Sequence, residues 1–156
     1  MKNLKKSLII LGLFFMSAQL FSQRCIDFHE RICRIPDFSF YYNGQSTSGE
    51  FAIGQTSEMH FVVFEGMDYY ISVCADKRFK RVHWKIYEDS EKKPLLFDNA
   101  RQNYIDTVKF SIKTTKRFIL EVTIPEVPEN GEKGDPTKRC VGVLIGSRLR
   151  EEKGFK

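Results

Sequence analysis

Short runs in which apolar and polar residues alternate constrain the fold more than any other feature of this sequence. Trp84 and Ile86 alternate with Lys85 and Tyr87, and the run 118–124 repeats the pattern. Such alternation is typical of strands that bury one face. Turn-forming residues separate runs of similar length, which indicates about nine strands. The predicted strands lie near residues 38–42, 48–53, 58–65, 68–75, 80–88, 94–97, 105–112, 116–125 and 139–146.

Many short strands at spacings of about 8–12 residues predict an all-β protein, either a sandwich or a barrel. We expect a single jelly-roll-like β-sandwich with a short N-terminal helical segment at 27–31. Turn chemistry at 43–44 and at 65–67 predicts two hairpins. The runs 59–64 and 69–74 are apolar on nearly every position, so they should lie near the middle of a sheet or under an outer layer.

The N-terminus has the pattern of an export signal. Three lysines within the first six residues precede an apolar run of 11 residues at 8–18, and the first 23 residues include no acidic side chain. The run is shorter than the roughly 20 residues of a membrane-spanning helix, so a cleaved signal is favoured over an uncleaved anchor. We predict a signal peptide at 1–23, a sandwich domain at 24–146 and a charged flexible tail at 147–156. The mature chain is expected in the periplasm or outside the cell, without a membrane span.

Net charge argues against a nucleic-acid partner. The chain has 25 basic and 20 acidic residues, a formal charge of +5, and removing the three signal lysines leaves 22 against 20, or +2. Charges of both signs are interspersed along the mature region, whereas nucleic-acid binding needs a concentrated basic face. A content of 42% hydrophobic and 13% aromatic residues is enough to build a core.

All four cysteines lie after the predicted signal. An even count in an oxidising compartment predicts two disulfides, and three pairings are possible. We favour Cys25 with Cys33 and Cys74 with Cys140. Because a continuous helix would hold Cys25 and Cys33 about 12 Å apart, this local bond requires a break in the helix. Alternatively, Cys74 and Cys140 each bond to a cysteine of the N-terminal segment.

Residues of catalytic type form no recognisable motif. His29, His60 and His83 do not fit the two-histidine zinc pattern, and the sequence has neither a Gly-x-Ser-x-Gly elbow nor a phosphate loop. Asp98 and Asp106 bracket an oxygen-rich loop and are the candidate calcium ligands, although such a loop is more often an ordinary solvated connection. We therefore expect no cofactor and no resident metal.

Tyrosines supply the candidate ligand-binding residues. In the adjacent pairs at 41–42 and 69–70, one ring should point outward, where its combination of apolar ring and hydroxyl suits a sugar or a protein partner. The alternative is an edge-strand tyrosine with a hydrated hydroxyl. The tryptophan at 84, by contrast, shares a face with core positions and should be buried. The ligand-binding candidates are Tyr41, Tyr70, Tyr87 and Tyr104.

Several segments together resemble a four-cysteine, β-rich family of exported Bacteroidetes proteins. The matching segments are Asn43-Gly44-Gln45-Ser46, Phe51-Ala52-x-Gly54-Gln55-Thr56-Ser57-Glu58, Gly66-x-Asp68-Tyr69-x-Ile71-Ser72-x-Cys74, Phe97-Asp98-Asn99, Thr115-Lys116-Arg117, Glu121-Val122-Thr123 and Cys140-Val141-Gly142-Val143-Leu144-Ile145. The resemblance implies export and the same four cysteines, and it assigns no activity to any residue.

A second resemblance concerns the order of three strand motifs. These are Tyr69-x-Ile71-x-Val73, Trp84-x-Ile86-Tyr87 and Phe118-Ile119-Leu120-Glu121-Val122. The order resembles that of the jelly-roll sandwiches of bacterial pre-peptidase C-terminal domains. It implies a non-catalytic accessory or chaperone-like module.

Taken together, these features favour an exported, non-catalytic binding or accessory module of the cell envelope that recognises a protein or a polysaccharide. The alternative is a secreted hydrolase that uses carboxylates in a cleft, because a carboxylate pair needs no local motif. A concave pocket with converging polar groups would indicate the enzyme, and a plain sandwich face would indicate the binding module.

Overall fold

The computed structural model describes residues 25–35, 39–126 and 137–150. The predicted signal peptide and most of the predicted tail lie outside the described residues. The helix α1 and the nine strands are α1 Phe28–Ile32, β1 Tyr41–Tyr42, β2 Thr47–Phe51, β3 Thr56–Val63, β4 Met67–Ala75, β5 His83–Glu88, β6 Leu95–Asp98, β7 Thr107–Ser111, β8 Lys116–Thr123 and β9 Arg139–Leu149. A 3₁₀ helix spans Asn99–Gln102. Neither helix in the described ranges is long and apolar enough to cross a membrane.

The strands form two antiparallel sheets. Sheet A has the order β2-β9-β4-β7, with β1 paired to the same edge of β9 as β2, and sheet B has the order β3-β8-β5-β6. From β2 onward, every connection passes from one sheet to the other except the one between β5 and β6. This is the strand order of a jelly roll. The predicted all-β sandwich of nine strands is confirmed.

Both predicted hairpins are wrong, because the strands beside each turn find their partners elsewhere. β1 and β2 both pair with β9. Between them, Asn43 N–H donates to the Ile145 carbonyl at 2.9 Å and Ile145 N–H donates to Ser46 Oγ at 2.9 Å, so the turn only interrupts one edge strand. The turn at 65–66 carries the chain from β3 in sheet B to β4 in sheet A. Turn chemistry marks a reversal of the chain and does not identify the pairing partner.

The space between the sheets is filled by the side chains that alternation places inward. Trp84 exposes 1% of its surface, which confirms the prediction that it is buried. Its ring centroid lies 4.6 Å from that of Phe97, and its Nε1–H donates to the Ile105 carbonyl at 3.0 Å. The other large core side chains that are almost inaccessible are Phe61, Val63, Tyr69, Ile71, Leu120, Ile124, Val141 and Ile145.

A further layer covers the outer face of sheet A. α1 packs against β9, β4 and β2, and Phe40, Tyr70 and Leu144 belong to a second buried cluster outside the sheet. His29 lies directly on Gly142, where an added Cβ would come 2.8 Å from His29 Cα. The close approach of the helix therefore requires glycine at position 142.

Two disulfides attach this layer to sheet A. Cys25 bonds to Cys140 in β9 and Cys33 bonds to Cys74 in β4, with Cα–Cα distances of 5.3 and 5.2 Å. The favoured pairing of Cys25 with Cys33 is wrong, because α1 lies between these residues and places each of them over a different strand. The alternative, in which both strand cysteines bond to the N-terminal segment, is the arrangement found. None of the described cysteines is free.

The strand β3, which we expected near the middle of a sheet or under an outer layer, is an edge strand of sheet B. Its edge is closed at one point by Gln45, whose Nε2 donates to the Val62 carbonyl at 3.0 Å and whose Oε1 accepts from Val62 N–H at 2.7 Å. The side-chain amide thus replaces a neighbouring strand there and hinders edge-to-edge pairing. By contrast, β4 lies inside sheet A, under the N-terminal layer.

The last strand, β9, continues to Leu149, three residues beyond the predicted end at 146. Arg148 Nε and Arg150 Nε each lie 3.3 Å from a carboxylate oxygen of Asp68, at the start of β4. These ion pairs and a hydrogen bond from Ser111 hold the pKa of Asp68 below its ordinary value, with the serine contributing most. Residues 147–149, the first three of the predicted tail, therefore extend the sheet.

Candidate binding face

The outer face of sheet B presents its side chains to solvent, in contrast to the covered face of sheet A. On β3, His60 exposes 59% of its side chain and Glu58 exposes 43%. The outward residues of β5 are half-buried, whereas those of β8 range from the exposed Arg117 to the buried Ile119. The chemistry of this face is therefore set by successive rows of cross-strand neighbours.

One row crosses all four strands and is charged at every position. In β3, β8, β5 and β6, respectively, it consists of Glu58, Glu121, Lys85 and Asp98, each in register with the next. Lys85 Nζ lies 3.2 Å from Glu121 Oε1, and this hydrogen bond raises the pKa of the lysine. We call these four residues the polar row.

The two adjacent carboxylates of the polar row are balanced by lysines on either side. Glu58 and Glu121 are opposite each other on neighbouring strands, where like charges repel. Lys85 binds Glu121 from one side, and Lys93 Nζ lies 3.9 Å from Glu58 Oε1 on the other. The two carboxylates are thus flanked by a lysine on each side.

The polar row ends in a histidine–aspartate pair. His83 Nε2 lies 2.8 Å from Asp98 Oδ1, and the same oxygen accepts from Ala100 N–H at 3.0 Å, which caps the 3₁₀ helix. Burial alone would raise the pKa of Asp98. The hydrogen bonds from His83 and Ala100 outweigh it, and the pKa lies below its ordinary value.

The neighbouring row carries the aromatic side chain of the face. Tyr87 and His60 flank Ile119 in register, and Ile119 is buried although it points outward. His60 Nδ1 is fixed by Asp89 Oδ2 at 3.1 Å. The neighbouring row thus places an apolar centre and two flanking rings beside the polar row.

Tyr104 stands at the corner of the same face. Its ring meets that of His83 edge-on, at 6.1 Å between centroids, and Arg81 Cζ lies 4.9 Å from its centroid. Asn103 and Tyr104 both have left-handed backbones, with φ of 55° and 57°. That conformation is unfavourable for a tyrosine and persists only where the surroundings fix it.

The buried side chain of Asn99 supplies this support. Its Oδ1 accepts from Trp84 N–H at 2.9 Å, and its Nδ2 donates to the Val82 and Ile105 carbonyls at 2.9 and 3.2 Å. In addition, Tyr104 N–H donates to the Asn99 carbonyl at 2.8 Å. A single amide thus joins the loop to β5 and holds the strained turn in place.

The structure brings three of the sequence candidates together and separates the others. Tyr87, Asp98 and Tyr104 all lie on or beside the outer face of sheet B. Tyr41 lies on the edge of sheet A and exposes 73% of its surface. Asp106 is exposed at the start of β7, where its carbonyl accepts from Val73 N–H.

Tyr70 is not available as a ligand-binding residue, which corrects our expectation for the pair 69–70. It exposes 4% of its surface, because its ring packs against that of Phe40 at 5.9 Å in the cluster below the N-terminal layer. Tyr69 faces the core on the other side of β4 and is also buried. The rule that one ring of an adjacent pair must face solvent fails where both sides of a sheet are covered.

Sequence reasoning missed several residues of this face as candidates. His83 and Lys85 on β5 and Glu121 on β8 occupy outward positions of alternating strands. Their polar character and outward direction were available signals. Their proximity was not, because β5 and β8 are separated by about thirty residues and their pairing has no local signature.

Asp98 and Asp106 do not form part of a metal-binding cluster. Within the described ranges, no group of three or more His, Cys, Asp or Glu side chains could hold a metal ion. Asp98 Oδ1 is engaged by His83 and by a backbone amide. The structure thus adds no further ligand to the two aspartates considered for calcium.

A serine–histidine contact attaches α1 to sheet A. Ser48 Oγ accepts from His29 N–H at 2.8 Å and lies 2.6 Å from its Nδ1, and the His29 Nε2 lies 2.9 Å from the Tyr42 hydroxyl. His29 exposes 6% of its surface. Both ring nitrogens are therefore engaged in fixing α1 to β1 and β2.

A half-open cleft of about 310 Å³ separates the edges of β2 and β3. Its walls are mainly inward-facing apolar side chains, including Phe51, Met59 and Val143. Two small residues, Gly49 and Ser57, also line it. Glu58 is the charged residue among those that line the cleft, and the other members of the polar row do not line it.

No protein-family model matches this chain, and no curated protein matches it in sequence. Among solved structures it is similar to the crystal structure of Aeromonas hydrophila PliG, a periplasmic lysozyme inhibitor of g-type lysozyme. The two chains are 7% identical with a TM-score of 0.48, over 74% of this chain and 93% of the other. Similarity at this level assigns no function.

Proposed function

We propose that this protein is an exported, non-catalytic binding module of the cell envelope that recognises a polysaccharide with the outer face of sheet B. The observation that carries the proposal is the polar row, four charged side chains in register across four strands, with the Tyr87 ring beside it. Sugar hydroxyls both donate and accept, so a surface that carries both carboxylates and ammonium groups can satisfy them. The ring adds a platform for the apolar face of a sugar.

Export is supported by the two disulfides. Paired cysteines persist in oxidising compartments and are rare where thiols are kept reduced. Here they attach an N-terminal layer to two neighbouring strands. The predicted signal peptide and the resemblance to exported Bacteroidetes proteins agree with this location, either the periplasm or the cell exterior.

A binding role is favoured over the hydrolase alternative by the placement of the carboxylates. Glycoside hydrolysis needs two carboxyl groups that flank the scissile bond. Glu58 and Glu121 stand side by side on adjacent strands of one flat sheet, and Glu121 is bound by Lys85. Such carboxylates can hold one side of a sugar chain but do not enclose it.

Affinity electrophoresis tests the proposal. Protein is run through native gels that contain neutral β-glucan, galactomannan or polygalacturonate, and we expect retardation by at least one polymer. Tyr87→Ala and Lys85→Ala should each weaken the affinity that is derived from the retardation about tenfold, which is the effect of losing one good contact. Tyr41→Ala is the matched control, because it removes an exposed tyrosine from sheet A, and it should migrate like the wild type.

Two results would contradict the proposal. One is migration that none of the polymers changes. The other is tight binding to a protein, with g-type lysozyme as the probe, that Tyr87→Ala abolishes, since the same face would then serve a protein partner. Circular dichroism of each variant shows whether a loss of binding reflects a loss of fold.

A further inference from the structure

The loop between β4 and β5 is the most basic connection among the described residues. Residues 76–82 include Lys77, Arg78, Lys80 and Arg81 with one acidic residue, Asp76, which gives a formal charge of +3. Each of the other complete connections in the described ranges has a formal charge between −1 and +1. Positive charge is therefore concentrated in one short loop.

Packing keeps these charges at the surface. Phe79, in the middle of the loop, is buried in the core, so the basic residues on both sides of it remain outside. Asp76 ties the first turn by accepting from the backbone N–H and from Nε of Arg78, at 3.0 and 3.1 Å. The hydrogen bond from the Arg78 side chain is the main reason why the pKa of Asp76 is lowered.

This loop reaches the binding face through Tyr104. Arg81 stacks over the Tyr104 ring, and the ring in turn contacts His83 at the end of the polar row. Arg101, on the 3₁₀ helix, exposes 77% of its side chain beside Asp98. We call Lys77, Lys80, Arg81, Arg101 and Tyr104 the basic corner.

We propose that the basic corner selects polysaccharides whose sugars carry carboxylate groups. This inference rests on the proposed function and deepens it by naming the substrate class. Ammonium and guanidinium groups form charge-assisted hydrogen bonds with carboxylates, and the guanidinium does so with two parallel contacts. A positive field at one end of the face also attracts a polymer that repeats negative charge along its length.

A glycan fits these features better than an anionic membrane does. A lipid surface would meet the corner alone, and the polar row would turn away from the interface. Each carboxylate of the row has a basic neighbour, namely Lys93, Lys85 or Arg101, so a polymer chain can lie along the row and place an acidic sugar at the corner. It then uses both surfaces at once. The short distance from Arg81 through Tyr104 to His83 makes the two surfaces continuous.

The experiment compares polygalacturonate oligomers with their methyl esters, which share the sugar backbone and lack the charge. Affinity is measured by titration calorimetry at low ionic strength. We expect the wild type to bind the acid at least about tenfold more tightly than the ester, and added salt to reduce this preference. Lys77→Ala combined with Lys80→Ala should remove most of the preference, because it takes away two positive charges. This double variant leaves the Arg81–Tyr104 contact in place.

The matched control is Lys92→Ala combined with Lys113→Ala, which removes two exposed lysines from other loops. The control should bind the acid within about twofold of the wild type. Equal losses in the two double variants would show that net charge alone matters, and would overturn the inference.

Other outcomes separate the two proposals. If the wild type binds the acid no more tightly than the ester or another neutral glycan, the proposal that the basic corner selects acidic sugars is wrong. The proposed function is then unaffected. Failure to bind any acidic or neutral glycan overturns both. Tighter binding to phosphatidylglycerol vesicles than to polygalacturonate, lost in the Lys77/Lys80 double variant, would assign the corner to a membrane surface.

Discussion

The two outer faces of this sandwich are built from strands of similar pattern and end in opposite environments. On sheet A, Tyr70 points outward and is buried, because the N-terminal layer lies over it. On sheet B, Tyr87 points outward and remains partly exposed, beside a row of charged groups that are paired with one another. Whether an outward residue is buried thus depends on whether a distant segment of the chain packs over it.

Because of this difference, we expect the covered face to stabilise the fold and the open face to bind the ligand. The covered face carries both disulfides and the close approach of His29 to Gly142, which leaves no room for a Cβ. The open face carries ion pairs that solvent screens, and such pairs contribute little to stability. Substitutions on the covered face should therefore act on folding, whereas substitutions on the open face should act on binding.

The largest expected effect is the loss of a disulfide from the covered face. Cys33→Ala with Cys74→Ala releases a loop of 41 residues and should lower the free energy of unfolding by about 2–5 kcal/mol. Urea denaturation measures this change. Lys85→Ala on the open face is the comparison and should cost less than about 1 kcal/mol. Similar losses in the two variants would mean that the faces do not differ in this way.

A medium effect is expected from glycines in the same sheet. Gly142→Ala places a methyl group 2.8 Å from His29 Cα, so the layer must shift, at a cost of about 1–3 kcal/mol. Gly49→Ala is the matched control, since its Cβ would meet nothing closer than 3.7 Å. That substitution should be neutral or slightly stabilising, because it restricts the unfolded chain. Thermal unfolding measures the stability of both variants. A lower melting temperature for Gly49→Ala than for Gly142→Ala would contradict this account.

The smallest effect concerns Asp98 and pH. Because its pKa is lower in the folded protein than the ordinary 3.8, its ionised form contributes stability at pH values above about 4. This contribution is lost as the pH falls from there through the folded pKa. Asp98→Asn should therefore be less stable than the wild type at pH 6, by about 0.5–1 kcal/mol, and the difference should shrink below pH 4. Asp106→Asn, at the end of the same loop, is the control, and a constant difference for Asp98→Asn across this range would contradict the assignment.

The alternation of single strands was enough to predict the nine strands and the burial of Trp84. It could not predict which strands pair, because the partner of β1 and of β2 is β9, about a hundred residues away. The same limit explains the wrong hairpins and the wrong cysteine pairing. Local pattern determines which way a side chain points, and long-range pairing determines what it meets.

The candidate site shows the same limit. Tyr87, Tyr104 and Asp98 could be proposed from residue type and position, and they lie together in the structure. Tyr70 had the same sequence signal and is buried by a segment more than thirty residues before it. The basic loop at 76–82 is plain in the sequence, but its continuity with the polar row depends on the strained turn at Tyr104.

The central claim, that the outer face of sheet B is the binding surface, is tested most directly by mapping bound sugar on the protein. Amide chemical shifts of labelled protein are followed by NMR during titration with oligogalacturonate and, in parallel, with neutral β-glucan oligomers. The account predicts shifts at His60, Lys85, Tyr87 and Glu121, while Tyr41 and Glu50 on sheet A stay unchanged. Shifts confined to sheet A or to the cleft between β2 and β3, with sheet B unaffected by either sugar, would contradict it.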